Sequence, residues 1–216
     1  MIFNTDTAER VAENLLQIKA IKLNNSNPFT WASGLKSPIY CDNRIALSYP
    51  KIRTFIRQQL VRSIIENFGD VDVIAGVATA GIPQGALVAQ EMGLPFIYVR
   101  ASKKSHGMTN MIEGVLHSGQ SVLVVEDLVS TGKSSLAAVD ALEAVGAKVK
   151  GMVSIFTYGL PIAEENFKKA KCKLVSLSDY EHLIKTGVSG DSISAKDQDS
   201  LLEWSADPKA WSDKQK

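Results

Sequence analysis

The segment Ser121-Val122-Leu123-Val124-Val125-Glu126-Asp127-Leu128-Val129-Ser130-Thr131-Gly132-Lys133-Ser134-Ser135 runs from an apolar strand into two adjacent acids. A short turn of hydroxyl residues and one glycine follows, and then a helix begins. A helix N-terminus presents unpaired backbone N–H groups and a partial positive charge, so such a turn suits a phosphate. Ser130, Thr131 and Ser134 add hydroxyl donors, and Gly132 lets the backbone approach the anion. Acids beside a phosphate would repel it, so Glu126 and Asp127 must serve something else, either sugar hydroxyls or a metal-bound water. Two rival readings fit less of the segment. Gly132-Lys133-Ser134 satisfies the end of the nucleotide-triphosphate loop G-x-x-x-x-G-K-[ST], but Asp127 stands where its first glycine belongs. A plain strand–turn–helix, capped by Asp127 or Ser130, accounts for one acid and one hydroxyl but not for two acids at a buried strand's end.

Working outward, short β-branched runs alternate with helical stretches. Strands are expected at 71–76, 96–99, 122–125 and 149–156, with a further one at 174–177. Helices are expected at 83–92 and 134–145. This alternation implies right-handed βαβ units and a parallel sheet covered on both faces, with ligands bound beyond the carboxyl ends of the strands. Upstream, residues 7–20 read as a helix capped by Thr7, and Tyr49-Pro50 opens a second helix to about Phe68. Residues 29–43 read as a hairpin or hooked loop. Helices at 179–185 and 200–204 precede an expected loosely held tail, 205–216.

The chain has 216 residues, 45% hydrophobic and 22% charged, with net charge +1. That describes one ordinary globular domain with a sizeable core, and a balance too neutral for a dedicated duplex-binding protein. No apolar run approaches the ~20 residues of a membrane span. The N-terminus lacks the pattern of a secretory signal, and Cys41 and Cys172 make no disulfide framework. The expected setting is reduced and cytoplasmic, without membrane or nucleic-acid partners.

The run 122–134 resembles the phosphoribosyl-pyrophosphate (PRPP) motif of the type I phosphoribosyltransferases. Phe29-Thr30-Trp31-Ala32-Ser33-Gly34-Leu35-Lys36-Ser37-Pro38-Ile39-Tyr40-Cys41-Asp42-Asn43-Arg44 is similar to the hood of the orotate phosphoribosyltransferases. Tyr98-Val99-Arg100-Ala101-Ser102-Lys103-Lys104-Ser105-His106-Gly107 is similar to their mobile loop, with Ile112-Glu113-Gly114 as its return. With Gly76-Val77-Ala78-Thr79-Ala80-Gly81-Ile82-Pro83, the likeness spans about residues 7–177. Read without the family, 100–107 is a charge run of the kind that usually makes a solvated loop.

The resemblance implies an α/β, type I phosphoribosyltransferase fold, a central parallel sheet flanked by helices with a small N-terminal hood. Residues 1–216 would form a single domain, its hood contributed by about 1–45 and the C-terminal segment. The implied reaction transfers ribose 5-phosphate from PRPP to orotate, with Mg²⁺ held mainly by PRPP and water. Implied PRPP contacts are Arg100, Lys103, Lys104 and His106, together with Glu126, Asp127, Leu128, Val129, Ser130, Thr131, Gly132, Lys133 and Ser134. Lys104, His106 and Asp127 carry the catalysis, the acids holding the ribose hydroxyls. Ser130, Lys36, Tyr40 and Arg44 are the candidates for orotate. The loop crosses to a neighbouring subunit in the family, which implies a homodimer with shared sites.

Several positions depart from the pattern of some members. Ala32, Ala80 and Ala101 stand where those members have lysine, and Tyr158 aligns with a base-contacting arginine. The positive charge facing the orotate carboxylate is left to Lys36 and Arg44. Trp31 and Tyr40 either stack on a flat base or close the hood. Trp204 and Trp211 read as packing residues, His117 and His182 as surface or packing residues, and Cys41 lacks the basic neighbourhood of a nucleophile. Two other functions stay open, a transferase for a purine or uracil and a non-catalytic PRPP-sensing regulator on the same fold.

Overall fold

The computed structural model of the chain describes residues 1–31, 34–100 and 111–215. Helix α1 covers Thr5–Gln17 and starts two residues before the sequence reading placed it. Its cap is Asn4, whose Oδ1 accepts from the Thr7 amide at 2.8 Å; the Thr7 hydroxyl instead donates to Gln59 Oε1. Four short strands follow: β1 (Ile21–Leu23), β2 (Phe29–Thr30), β3 (Lys36–Ser37) and β4 (Ile39–Cys41). β2 and β3 form a hairpin and β1 pairs antiparallel with β4, so 29–41 carries a hairpin and one strand of a second ribbon completed by β1. A 3₁₀ turn, Asn43–Ser48, leads into α2 (Pro50–Phe68), with Pro50 at its first turn as its missing N–H allows.

The remaining elements are β5 (Val73–Val77), α3 (Gly81–Met92), β6 (Phe96–Val99), β7 (Ile112–Glu113), β8 (Ser121–Val129) and α4 (Lys133–Ala144). Then come β9 (Lys148–Thr157), α5 (Pro161–Lys169), β10 (Leu174–Asp179), α6 (Tyr180–Ser189), α7 (Ala195–Ala206) and α8 (Pro208–Asp213). Strand order is β10-β9-β8-β5-β6-β7, parallel except for β7, which runs antiparallel on β6. Successive residues of β8 enter different cores. Leu123 and Val125 pack with Val11, Leu60 and Val88, whereas Val122 and Val124 pack with Val139, Leu142 and Phe167. Burial on both faces is what near-continuous apolar strands require.

From β5 the chain crosses over through α3 to β6 on one side. From β8 it crosses through α4 to β9 on the other. The carboxyl ends of β5 and β8, neighbours in the sheet, therefore open a crevice at the topological switch point.

Two further expectations are corrected, and one helix is added. β8 continues four residues past Val125, through both acids, because β9 keeps pairing with it: Glu126 with Ser154, Leu128 with Phe156, Val129 with Thr157. Helix α5 had no counterpart in the sequence reading. The stretch after residue 204 is not a loose tail, since Asp207 caps α8 and Trp211 is 2% exposed. Ser212 Oγ accepts from the Lys36 amide at 2.9 Å, which ties α8 to the hood. Among the described residues no helix is long and apolar enough to cross a membrane.

Candidate active site

The turn after β8 owes its shape to α5. Gly132 has φ +75°, and a side-chain carbon there would come 2.6 Å from the Phe167 ring. Only glycine meets both conditions without strain. Asn166 Nδ2 donates to the Thr131 carbonyl at 2.9 Å and holds the turn from the same helix. No side chain caps α4, so its first N–H groups stay available to an anion. Across the crevice, Gly81 begins α3 against β8. A Cβ on Gly81 would meet the Val125 carbonyl at 2.6 Å, and this close approach brings the 78–80 turn, with its cis Ala78–Thr79 peptide, beside the phosphate turn.

The two acids are placed differently. Glu126 is 5% exposed; its Oε1 accepts from the Asp127 amide at 3.0 Å and its Oε2 from Ser135 Oγ at 2.8 Å. Asp127 is half-buried at the crevice, and its backbone carbonyl accepts from Asn43 Nδ2 at 2.7 Å. Burial pushes the Glu126 carboxyl well above its ordinary range, and the neighbouring Asp127 charge adds to this. Burial also raises Asp127, opposed by hydrogen bonds to its carboxylate and by the Arg44 charge. Two adjacent carboxyls displaced upward titrate as a pair and leave negative charge poorly compensated at the strand end.

Beside them lies a cavity of about 470 Å³ whose walls include Trp31, Tyr40, Leu128, Ser130, Thr131 and Tyr158. Its mostly apolar lining, with a few hydroxyls, fits a small flat ligand. Trp31 both closes the hood and walls the cavity. Its ring lies 5.1 Å from Tyr158 and 5.5 Å from Trp204, and its Nε1 donates to the Ile39 carbonyl. Tyr40, 42% exposed, rests on Phe29 at 5.6 Å.

The candidate cations differ in how they are held. Lys36 Nζ donates to Thr30 Oγ1 at 2.9 Å, on the cavity rim. Arg44 is clasped by Asp42 through Nε at 2.7 Å and Nη2 at 2.9 Å. Arg100, 3.5 Å from Glu113, shares a narrow cleft of about 50 Å³ with Ala78 and Ser134. Lys133 is exposed on the first turn of α4, and Val129 is buried beneath the turn.

Lys103, Lys104 and His106 lie outside the described residues. Residues 127–134 fall at the switch point with Val129 buried beneath the turn, Glu126 is buried with both oxygens engaged, and Arg100, past the end of β6, shares a cleft with Ser134. Tyr40 and Ser130 face the cavity, Lys36 sits at its rim, and Arg44 is engaged with Asp42. The sequence reading missed Asn43, Ser135, Asn166 and Phe167. Asn43 was quoted in the hood without a role, and Pro161 was the available signal for the helix carrying the last two.

Trp204 and Trp211 are packing residues. His182 Nδ1 pairs with Asp179 Oδ1 at 2.7 Å, and the Cys41 thiol is buried and pushed up, as an unreactive thiol is. Among the described residues no three His, Cys, Asp or Glu side chains gather in a metal-binding group.

Over residues 51–188 the chain matches the phosphoribosyl transferase domain family. It is 56% identical over 200 residues to the orotate phosphoribosyltransferase of Bacteroides thetaiotaomicron, covering 93% of this chain and 94% of that protein. To the enzyme of that name from Listeria innocua it is 51% identical over 203 residues, covering 94% and 97%. Among solved structures, orotate phosphoribosyltransferase from Aeropyrum pernix superposes with a TM-score of 0.73 at 27% identity, covering 81% of this chain and 96% of that one. The Mycobacterium tuberculosis enzyme in complex with PRPP gives 0.63 at 26% identity, covering 81% and 97%.

Proposed function

The chain belongs to the orotate phosphoribosyltransferase family, and we propose how its own residues carry out that family's reaction. Ribose 5-phosphate passes from PRPP to orotate, giving orotidine 5′-monophosphate and pyrophosphate in pyrimidine biosynthesis. The C1–O bond to pyrophosphate breaks, a bond from C1 to orotate N1 forms, and the N1 proton leaves. One observation carries the reading: the acid pair, the uncapped turn of α4 and a base-sized cavity converge at the switch point between β5 and β8.

The 5′-phosphate takes the turn from Ser130 to Ser134, where the amides of α4 and three hydroxyls meet it. Asp127, on the open side of the strand end, takes the ribose hydroxyls. Orotate enters the cavity between Tyr40 and Ser130, with Lys36 toward its carboxylate. Arg100, Lys103 and Lys104 neutralise the departing pyrophosphate, and His106 gives it a hydrogen bond. No protein nucleophile is needed, because orientation and charge on the leaving group account for such a reaction.

Mg²⁺ suits this site. The upshifted carboxyls leave negative charge that a cation would relieve, and a hard ion that prefers several waters needs few protein ligands. It would be held mainly by PRPP and water beside Asp127, and it would supply charge neutralisation at the pyrophosphate. The working assembly is a homodimer in which residues 100–107 of one subunit serve the partner's site, and the compartment is the cytoplasm.

The test is loss of orotate absorbance on adding PRPP and Mg²⁺, each omitted in turn, beside a panel of uracil and purine bases. Turnover only with orotate and all components present supports the reading. Turnover of another base, or no pyrophosphate release with any base, overturns it.

A further inference from the structure

Asn43 joins the two halves of the site. Its side chain is 1% exposed and both ends of its amide are used. Nδ2 donates to the Asp127 carbonyl at 2.7 Å, and Oδ1 accepts from Cys41 Sγ at 3.3 Å. Cys41 lies in strand β4 of the hood and on the wall of the base cavity; Asp127 belongs to the strand end assigned to the sugar. A hydrogen-bonded relay of three residues therefore runs from the cavity to the acid, through a buried amide that has a single satisfied orientation.

We infer that Asn43 is a positioning residue that couples occupancy of the base cavity to the sugar-phosphate site. The inference rests on the reading of those two subsites given above. A base in the cavity presses on β4 and fixes Cys41 and Asn43. The amide then fixes the carbonyl of the residue whose carboxylate meets the sugar. Breaking either bond strands a buried polar group, so the relay moves as a unit. Coupling of this kind is reciprocal: each ligand tightens the other by the same factor.

The test uses ribose 5-phosphate, which has the hydroxyls and the phosphate but no leaving group, so nothing reacts. Calorimetry gives the orotate dissociation constant with and without saturating ribose 5-phosphate. In the wild-type protein orotate should tighten about fivefold or more, the lower range of ordinary couplings. Asn43→Leu, close in shape but without the amide, should bring that factor near one while each ligand alone still binds. Cys41→Ser keeps a donor to Asn43 and should keep the factor; Cys41→Ala should lose it, which decides the matter even if Asn43→Leu does not fold. A merely structural role would weaken both ligands and lower Tm without changing the factor. A wild-type factor of one overturns the inference, as does a factor unchanged in Asn43→Leu or equal in Cys41→Ala and Cys41→Ser. Failure of orotate to bind the wild-type protein at all overturns the cavity assignment instead.

Discussion

Ser135 Oγ lies 2.8 Å from Glu126 Oε2, and this bond spans the phosphate turn from the strand that enters it to the helix that leaves it. With the second Glu126 oxygen on the Asp127 amide, the carboxyl braces both sides of a turn whose own residues are mostly exposed. The ends of the turn are held from below, and its open face is left to the ligand.

The brace has a pH signature. Burial raises the Glu126 pKa in the folded state above its unfolded value. The folded protein therefore binds the extra proton between those two values, and stability from this group is complete below about 4.5 and is lost as pH rises through the folded value. Glu126→Gln keeps an acceptor for the Asp127 amide and removes the charge. Its Tm relative to wild type should climb as pH rises above about 4.5 and level off once pH passes the folded value. A Tm difference that is flat across that range, read by scanning calorimetry, rejects the buried-acid account.

Asp127→Asn replaces an ionised acceptor by a neutral one at the ribose position. Loss of a charge-assisted hydrogen bond costs about 1.5–3 kcal/mol, so kcat/KM for PRPP should fall about 10- to 150-fold while KM for orotate stays near wild type. Steady-state kinetics with each substrate varied separately decides it. Unchanged PRPP kinetics would remove the sugar role.

Gly132→Ala meets two penalties at once. A left-handed φ costs an alanine about 1–2 kcal/mol, and the new methyl strikes the Phe167 ring. Urea unfolding should show a loss of about 2–5 kcal/mol. In a Phe167→Leu background the ring is gone, so the cost of Gly132→Ala measured against Phe167→Leu alone should shrink to the backbone share. An equal cost of Gly132→Ala in both backgrounds would show that the ring is not the obstacle.

What could be read from the sequence was whatever rested on local chemistry. Pro50 fixed the start of α2, and the β-branched runs fixed β6 and the heart of the sheet. β8 was read short because Glu126 and Asp127 look like the end of a strand; only pairing with β9, invisible in one segment, carries the strand through them. The tail was misread for a similar reason. Its polar composition is that of a loose end, while Trp211 is buried by α7 and the hood more than a hundred residues away in sequence supplies the partner of Ser212. The phosphate turn was legible in its own residues, but its supports, Ser135, Asn166 and Phe167, belong to helices that only the fold brings near.

Lys36 and Arg44 can be separated by what already satisfies them. Lys36 bonds a neutral hydroxyl at the cavity rim, whereas the Arg44 fork is filled by Asp42. Lys36→Gln should therefore raise KM for orotate about tenfold and narrow the preference for orotate over uracil, which lacks the carboxylate. Arg44→Gln should change that preference little. A larger loss of preference in Arg44→Gln would reverse the assignment.

Lys104→Ala should by itself lower kcat about 10²- to 10³-fold, the usual cost of one electrostatic donor at a developing charge. Its partner test asks whose site Lys104 serves. In a dimer with crossing loops, co-expression of Lys104→Ala and Asp127→Asn chains pairs unlike subunits half the time. Each such dimer then has one site with both defects and one with neither. The mixture should regain about a quarter of wild-type activity, well above the mean of the two variants alone. If each loop serves its own chain, every site in the mixture carries one defect and nothing is regained. Activity of the co-purified mixture, compared with a blend of the two variants purified separately, distinguishes the two arrangements.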